Sequence, residues 1–180
     1  TGDNNVALGK SALSANTTGN RNTAVGTSTL YVNTADDNTG CGYNALVANT
    51  TGTRNTSVGS YSLYDNTTGS HNTAVGYYAL TNNTTASYNT AVGDRALDSN
   101  VSGTRNTAVG YKALEDTGNG NDNTAVGYQA LDDCASSNNT AVGSGALKLM
   151  TTGTRNTAVG MDALTTQTTA DGNTAVGYRA

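Results

Sequence analysis

"NTAVGYYALTNNTTASYNTAVGDRAL", residues 72–97, states a short phrase and restates it seventeen residues later. The glycine of that phrase recurs at Gly9, Gly26, Gly42, Gly59, Gly76, Gly93, Gly110, Gly127, Gly143, Gly160 and Gly177, in steps of 17 except for two of 16. Each unit reads N-T-A-V-G-x-x-A-L and then seven or eight polar residues. A period this short lies below the two-helix repeats and within the range of β-solenoid coils, in which each unit touches only its neighbours. Helix is disfavoured by Thr-Ala-Val-Gly and by the Asn, Thr and Gly of the loops. The expectation is therefore an all-β, parallel β-solenoid (a β-roll or β-helix) with one coil per 17-residue repeat and about 11 coils. At ~4.8 Å per coil the array would be roughly 50 Å long. No linker interrupts it, so residues 1–180 read as a single repeat array. It begins and stops inside a repeat, as a fragment of a longer fibre would.

Composition agrees with a stacked array rather than an ordinary core. The 180 residues include no Pro, Phe or Trp, 22 Gly, and only 12% charged residues. Leu, Ile, Val and aromatic residues are too few for a conventional hydrophobic interior. Disordered chains are also polar, but they lack fixed apolar periodicity. The formal charge of −4 gives no basic footprint for nucleic acid or an anionic membrane surface. No apolar run approaches the ~20 residues of a membrane span. Neither nucleic-acid binding nor membrane insertion is expected of this segment.

In a solenoid every recurring position becomes a ladder. The Val column, from Val25 to Val176 with Leu8 and Cys41 in the same place, and the Leu column, from Leu13 to Leu164, are read as the two core ladders. Alternation along a strand then turns the Ala column, Ala24 to Ala175, outward. Its restriction to small residues suggests a closely packed second chain. The Gly column implies a positive φ or a close backbone approach. The Asn column implies either a stacked amide ladder or closure of the preceding turn.

The unit N-T-A-V-G-Y-x-A-L resembles the head repeats of trimeric autotransporter adhesins, and more closely the Asn-Thr-Ala-rich repeats ahead of tail-fibre chaperone domains in phage and bacterial surface proteins. The resemblance covers the whole chain, although the loop "LSANTTGNRN" is longer than in the adhesin heads. It implies parallel β-rolls wound side by side, hence a self-associating homotrimer or fibre on a cell surface or virion. Within it, the Val and Leu ladders would lie inside each roll and the Ala columns against the neighbours.

Sharper chemistry finds little support. "VGYRA" and its relatives fit one hexapeptide of the left-handed β-helix used by many acyltransferases, but seventeen is not a multiple of six, and His71 is the only histidine. His71 falls in the column of Arg21, Arg54, Arg105 and Arg155 and reads as a surface residue. No Ser-His-Asp set can be assembled, so catalysis is not expected. "TGNGNDN", residues 117–123, resembles a calcium turn, yet such ligands must recur in successive coils and this pattern occurs once. The pairs Asp36–Asp37 and Asp132–Asp133 read as solvated loop acids. Cys41, Cys134 and His71 lie too far apart for zinc, so neither a metal nor another cofactor is expected. Cys41 reads as buried in a Val position. Cys134 is placed in a loop, free or bridging to another chain.

Two surface features could bind. Tyr43, Tyr77, Tyr111, Tyr128 and Tyr178 share the position after the Gly, where their amphipathic rings suit a cell-surface glycan or another chain. The sequons at Asn16, Asn49, Asn66, Asn83 and Asn100 read as Asn-Thr turns rather than glycan acceptors. The functional expectation is a rigid spacer in an extracellular adhesive or phage-type fibre. The alternative is an ice-binding β-solenoid. Against it, adjacent Thr17 and Thr18 point to opposite sides, and the loop Thr column fails at Val101, Gly118 and Ala135.

Overall fold

The computed structural model describes residues 2–116 and 118–180. Eleven three-residue strands recur once per coil: β1 (Val6–Leu8), β2 (Thr23–Val25), β3 (Thr39–Cys41), β4 (Thr56–Val58), β5 (Thr73–Val75), β6 (Thr90–Val92), β7 (Thr107–Val109), β8 (Thr124–Val126), β9 (Thr140–Val142), β10 (Thr157–Val159) and β11 (Thr174–Val176). They form one parallel sheet in chain order, with equal positions of successive coils in register. Thr90, Ala91 and Val92 thus face Thr107, Ala108 and Val109. Ten such pairings make a β-solenoid of ten turns.

Hydrogen bonding continues around the coil outside the strands. Thr23 N–H donates to Asn38 O of the following coil at 2.9 Å, and Gly26 N–H to Leu8 O of the preceding coil at 2.7 Å. In the turn, Ser28 N–H donates backward to Lys10 O at 2.8 Å and Leu30 N–H forward to Ala45 O at 3.0 Å. This alternation requires left-handed backbone at both residues: φ is 56° at Ser28 and 51° at Leu30, and the same pair of positions is left-handed in coil after coil. Coil-to-coil bonds offset the ~1–2 kcal/mol that such a conformation costs a non-glycine residue. The repeated glycine has φ between 131° and 144°, and a Cβ on Gly26 would lie 2.4 Å from Gly42 O. Positive φ and close approach therefore both apply.

The interior corrects the expected core. Leu30 through Leu147 are fully buried, as the Leu ladder requires. The strand, however, turns the other way: Ala24, Ala74, Ala91, Ala108, Ala125, Ala141 and Ala158 are fully buried, and the Val column faces out. The reason is space. The coil is so thin that the Ala of the strand sits against the Ala preceding the Leu. Where that second position is Thr29, the adjoining strand has Gly40, whose Cβ would meet Thr29 Cγ2 at 2.5 Å. Where the strand has Ser57, the opposite position is Ser62, and Ser57 Oγ donates to Ser62 O at 2.9 Å. The Ala columns are core, so no second chain packs on them.

The remaining interior is amide. Asn55 Oδ1 accepts from Asn72 N–H at 3.0 Å, and Asn55 Nδ2 donates to Gly69 O at 2.8 Å. Asn66, from the loop, donates to the same Gly69 O at 3.0 Å and to Asn49 Oδ1 at 2.7 Å. The Asn columns both stack and close turns. Placing Nδ2 and Oδ1 on backbone groups removes the desolvation penalty that buried amides would otherwise incur.

Candidate functional site

Among the five tyrosines singled out from the sequence, the fold brings Tyr43 and Tyr77 together and separates Tyr178. Tyr61, from the intervening coil, bridges the first two: its ring centroid is 5.3 Å from that of Tyr43 and 6.4 Å from that of Tyr77, edge to face in both cases. Tyr61 stacks on Tyr78 at 5.1 Å with the planes 4° apart, while Tyr64 and Tyr77 flank them. The signal for Tyr61 and Tyr78 was in the sequence: both stand two places after the Gly in consecutive coils, and equal positions stack at ~4.8 Å. Desolvation, then the neighbouring Tyr43 and Tyr78, raise the pKa of the Tyr61 phenol. The Tyr77 hydroxyl, then desolvation, raise that of Tyr78. Tyr111 and Tyr128 form a second stack at 5.4 Å, and Tyr178 lies under the Arg179 guanidinium. All five rings of the Gly-following column are exposed.

A row of carboxylates runs along the position after the Leu: Asp98, Glu115 and Asp132 in three successive coils. Glu115 is held by Lys112 at 2.8 Å. Asp132 is buried rather than solvated, correcting the loop-acid reading. Its Oδ2 accepts from Gln129 Nε2 at 2.9 Å, and its Oδ1 has no partner. Desolvation first, then Glu115 and Asp133, push its pKa up to about 6. Asp36 and Asp37 instead pair with Arg21, and Asp122 with Arg105 at 2.6 Å. Among the described residues no group of three or more His, Cys, Asp or Glu side chains could hold a metal ion. Thr117, at the start of the calcium-like "TGNGNDN", lies outside the described residues.

The strand direction and the loop packing settle the remaining assignments. Cys41, in the outward Val column, is exposed, whereas Cys134 is fully buried in the loop-Asn column; neither is in a disulfide. A buried Cys134 is not available to another chain. His71 stacks on Tyr88 at 4.9 Å. Asn49, Asn66, Asn83 and Asn100 are fully buried with their amides engaged, so these sequons are closed to modification in the folded chain. No described helix is long and apolar enough to cross a membrane.

The inversion also exposes a face that sequence reasoning missed. Thr23, Thr39, Thr56, Thr73, Thr90, Thr107, Thr124, Thr140, Thr157 and Thr174 project outward beside the Val column. Val58, Val75, Val92, Val109, Val142 and Val159 have almost the same exposure, between 36% and 38%. Loop threonines differ: Thr34, Thr50, Thr67 and Thr151 spend their hydroxyls on carbonyls of the following coil. Comparison of the chain with protein-family models, with curated proteins and with solved structures finds no match.

Proposed function

We propose that this chain is a rigid, non-catalytic rod segment of an extracellular adhesive or phage-type fibre, as the resemblance of its Asn-Thr-Ala-Val-Gly units suggests. The observation that supports this reading is the uninterrupted register from β1 to β11, with main-chain hydrogen bonds and an Asn ladder tying every coil to the next. Such an array resists bending because each bend must break ladder bonds at several positions of one coil. Self-association into a homotrimer or fibre, where it occurs, uses outward positions and not the Ala columns. The cluster around Tyr61 is where a cell-surface glycan would find stacking rings with hydroxyls at their edges.

Deleting residues 72–105, two whole units, should shorten the rod by ~10 Å and leave the remaining coils folded. Small-angle scattering with circular dichroism measures both. Loss of the fold, or an unchanged length, would overturn the spacer reading.

A further inference from the structure

The inward columns owe their uniformity to packing, but the outward Thr and Val columns do not. A solvent-facing position in a short strand tolerates many residues, as the position after the Gly shows with Lys, Thr, Tyr, Ser, Asp and Met. Yet the first outward strand position is Thr in every coil except the first, and the second departs from Val only at Leu8 and Cys41. Among the described residues none of the ten Thr hydroxyls is hydrogen-bonded within the chain.

We propose that this Thr–Val face binds a crystalline water surface, that is, ice. The parallel ladder repeats the hydroxyl at ~4.8 Å along the rod, with a Val methyl pair ~6.6 Å across each strand. The face thus has translational order along the rod in two parallel rows, and a shift by one coil restores nearly the same surface. A protein partner recognised at this face would have no preferred register. A crystal lattice needs none, because it is itself periodic. Charge points the same way: the molecule carries −4 overall, with Arg21, Asp37, Arg54, Arg105 and Asp122 in the column just before the Asn, but neither outward strand column contains a charge. That suits an uncharged surface. Ten coils by one strand give a patch of about 50 × 12 Å, on the order of 600 Å². This is within the size at which exposed patches become functional and below the roughly 800 Å² per partner of a stable protein interface.

The sequence-level objection to ice binding concerned Thr17 and Thr18, which lie in the loop. The face proposed here is a different set of threonines. The idea also stands apart from the rod reading, which is judged by particle length.

The test is thermal hysteresis by nanolitre osmometry on the 180-residue chain, with Thr107→Tyr and Thr107→Lys at the centre of the face and Thr68→Tyr as an exposed loop control. The expected result is hysteresis in the parent and in Thr68→Tyr, reduced at least tenfold by both Thr107 substitutions with unchanged circular dichroism. Two substitutions keep the test decisive if one of them misfolds. No hysteresis in the folded parent, or hysteresis that survives both face substitutions, overturns the proposal. So does a light-scattering mass above 18.2 kDa that Thr107→Tyr returns to monomer without any hysteresis, because the face would then belong to a second copy.

Discussion

Coils 3 to 6 and coils 8 to 9 fill the same interior position with opposite chemistries. In the first region the loop residue is Asn49, Asn66, Asn83 and Asn100, an amide chain in which each Nδ2 donates to the Oδ1 below at 2.7–3.0 Å from Asn66 onward. In the second it is Cys134 and Met150, fully buried and apolar. The backbone repeats regardless. What persists through both regions is the other column: Asn139 takes Asn156 N–H on its Oδ1 at 3.0 Å and gives Nδ2 to Gly153 O at 2.9 Å. Ser136 supplies the second donor to that carbonyl, in place of a loop amide. Two ladders that look equivalent in coil 4 therefore differ in rank. One satisfies a main-chain N–H that nothing else reaches, and the other adds a second donor to a carbonyl already served.

The largest effect should come from breaking the indispensable ladder. Asn72→Leu keeps the branched shape but deprives Asn89 N–H of its acceptor at 2.9 Å and Ala86 O of one of its two donors, at 2.8 Å. The orphaned buried N–H costs about 1–3 kcal/mol and the lost bond to Ala86 O about 1 kcal/mol more, so a loss of ~2–4 kcal/mol is expected in chemical denaturation. Asn66→Met imports into coil 4 the solution already used at Met150. It leaves Asn49 Oδ1 without the Asn66 donor, while Asn83 keeps Ala86 O at 3.0 Å. The expected cost is ~2–3 kcal/mol, with the dichroism of the native rod retained. If Asn66→Met proved as damaging as Asn72→Leu, the ranking of the two ladders would be wrong.

This ranking could not be read from the sequence, although the solenoid could. The glycine period defines the coils because a φ near 135° with no room for a Cβ tolerates no other residue. The Leu ladder follows from burial of the only long aliphatic in the second half of the phrase. The direction of the strand was misread because a three-residue strand contains only one alternation: Thr and Val on one side, Ala on the other. Bulk favours Val inside, and cavity width decides for Ala. The paired departures held the information, since Gly40 accompanies Thr29 and Ser57 accompanies Ser62, as facing positions should. Placing Val inside hides the Thr–Val face and buries Cys41, whereas the burial of Cys134 follows from its place in the loop-Asn column. The left-handed φ at each Leu was not legible at all, because the coil-to-coil hydrogen bonds that stabilise it belong to no single repeat.

The smallest expected effect lies in the apolar-filled region and depends on pH. Asp132 belongs to the coil of Cys134 and is buried, with Oδ1 unpartnered, facing Glu115 and Asp133 against the weaker pull of Lys148 and Lys112. Its folded pKa of about 6 lies above the ordinary 3.8. Between those values the folded chain binds a proton that the unfolded chain does not, so stability should rise as the pH falls from 7 towards 4 and then level off for this group. Asp98 is shifted in the same direction by desolvation and by Glu115, and adds to the slope. At pH 7 the ionised Asp132 opposes folding. Asp132→Asn removes the buried charge while retaining an acceptor for Gln129, and should stabilise the rod by about 1–2 kcal/mol at pH 7 while leaving it nearly unchanged at pH 4. Melting curves at the two pH values separate this from a general packing effect, which would act equally at both. Coils 3 to 6 provide the internal control: their loop column is amide, with no proton to gain, so Asn83→Asp there should reverse the sign at pH 7 by installing a carboxylate where Asn66 Oδ1 expects a donor.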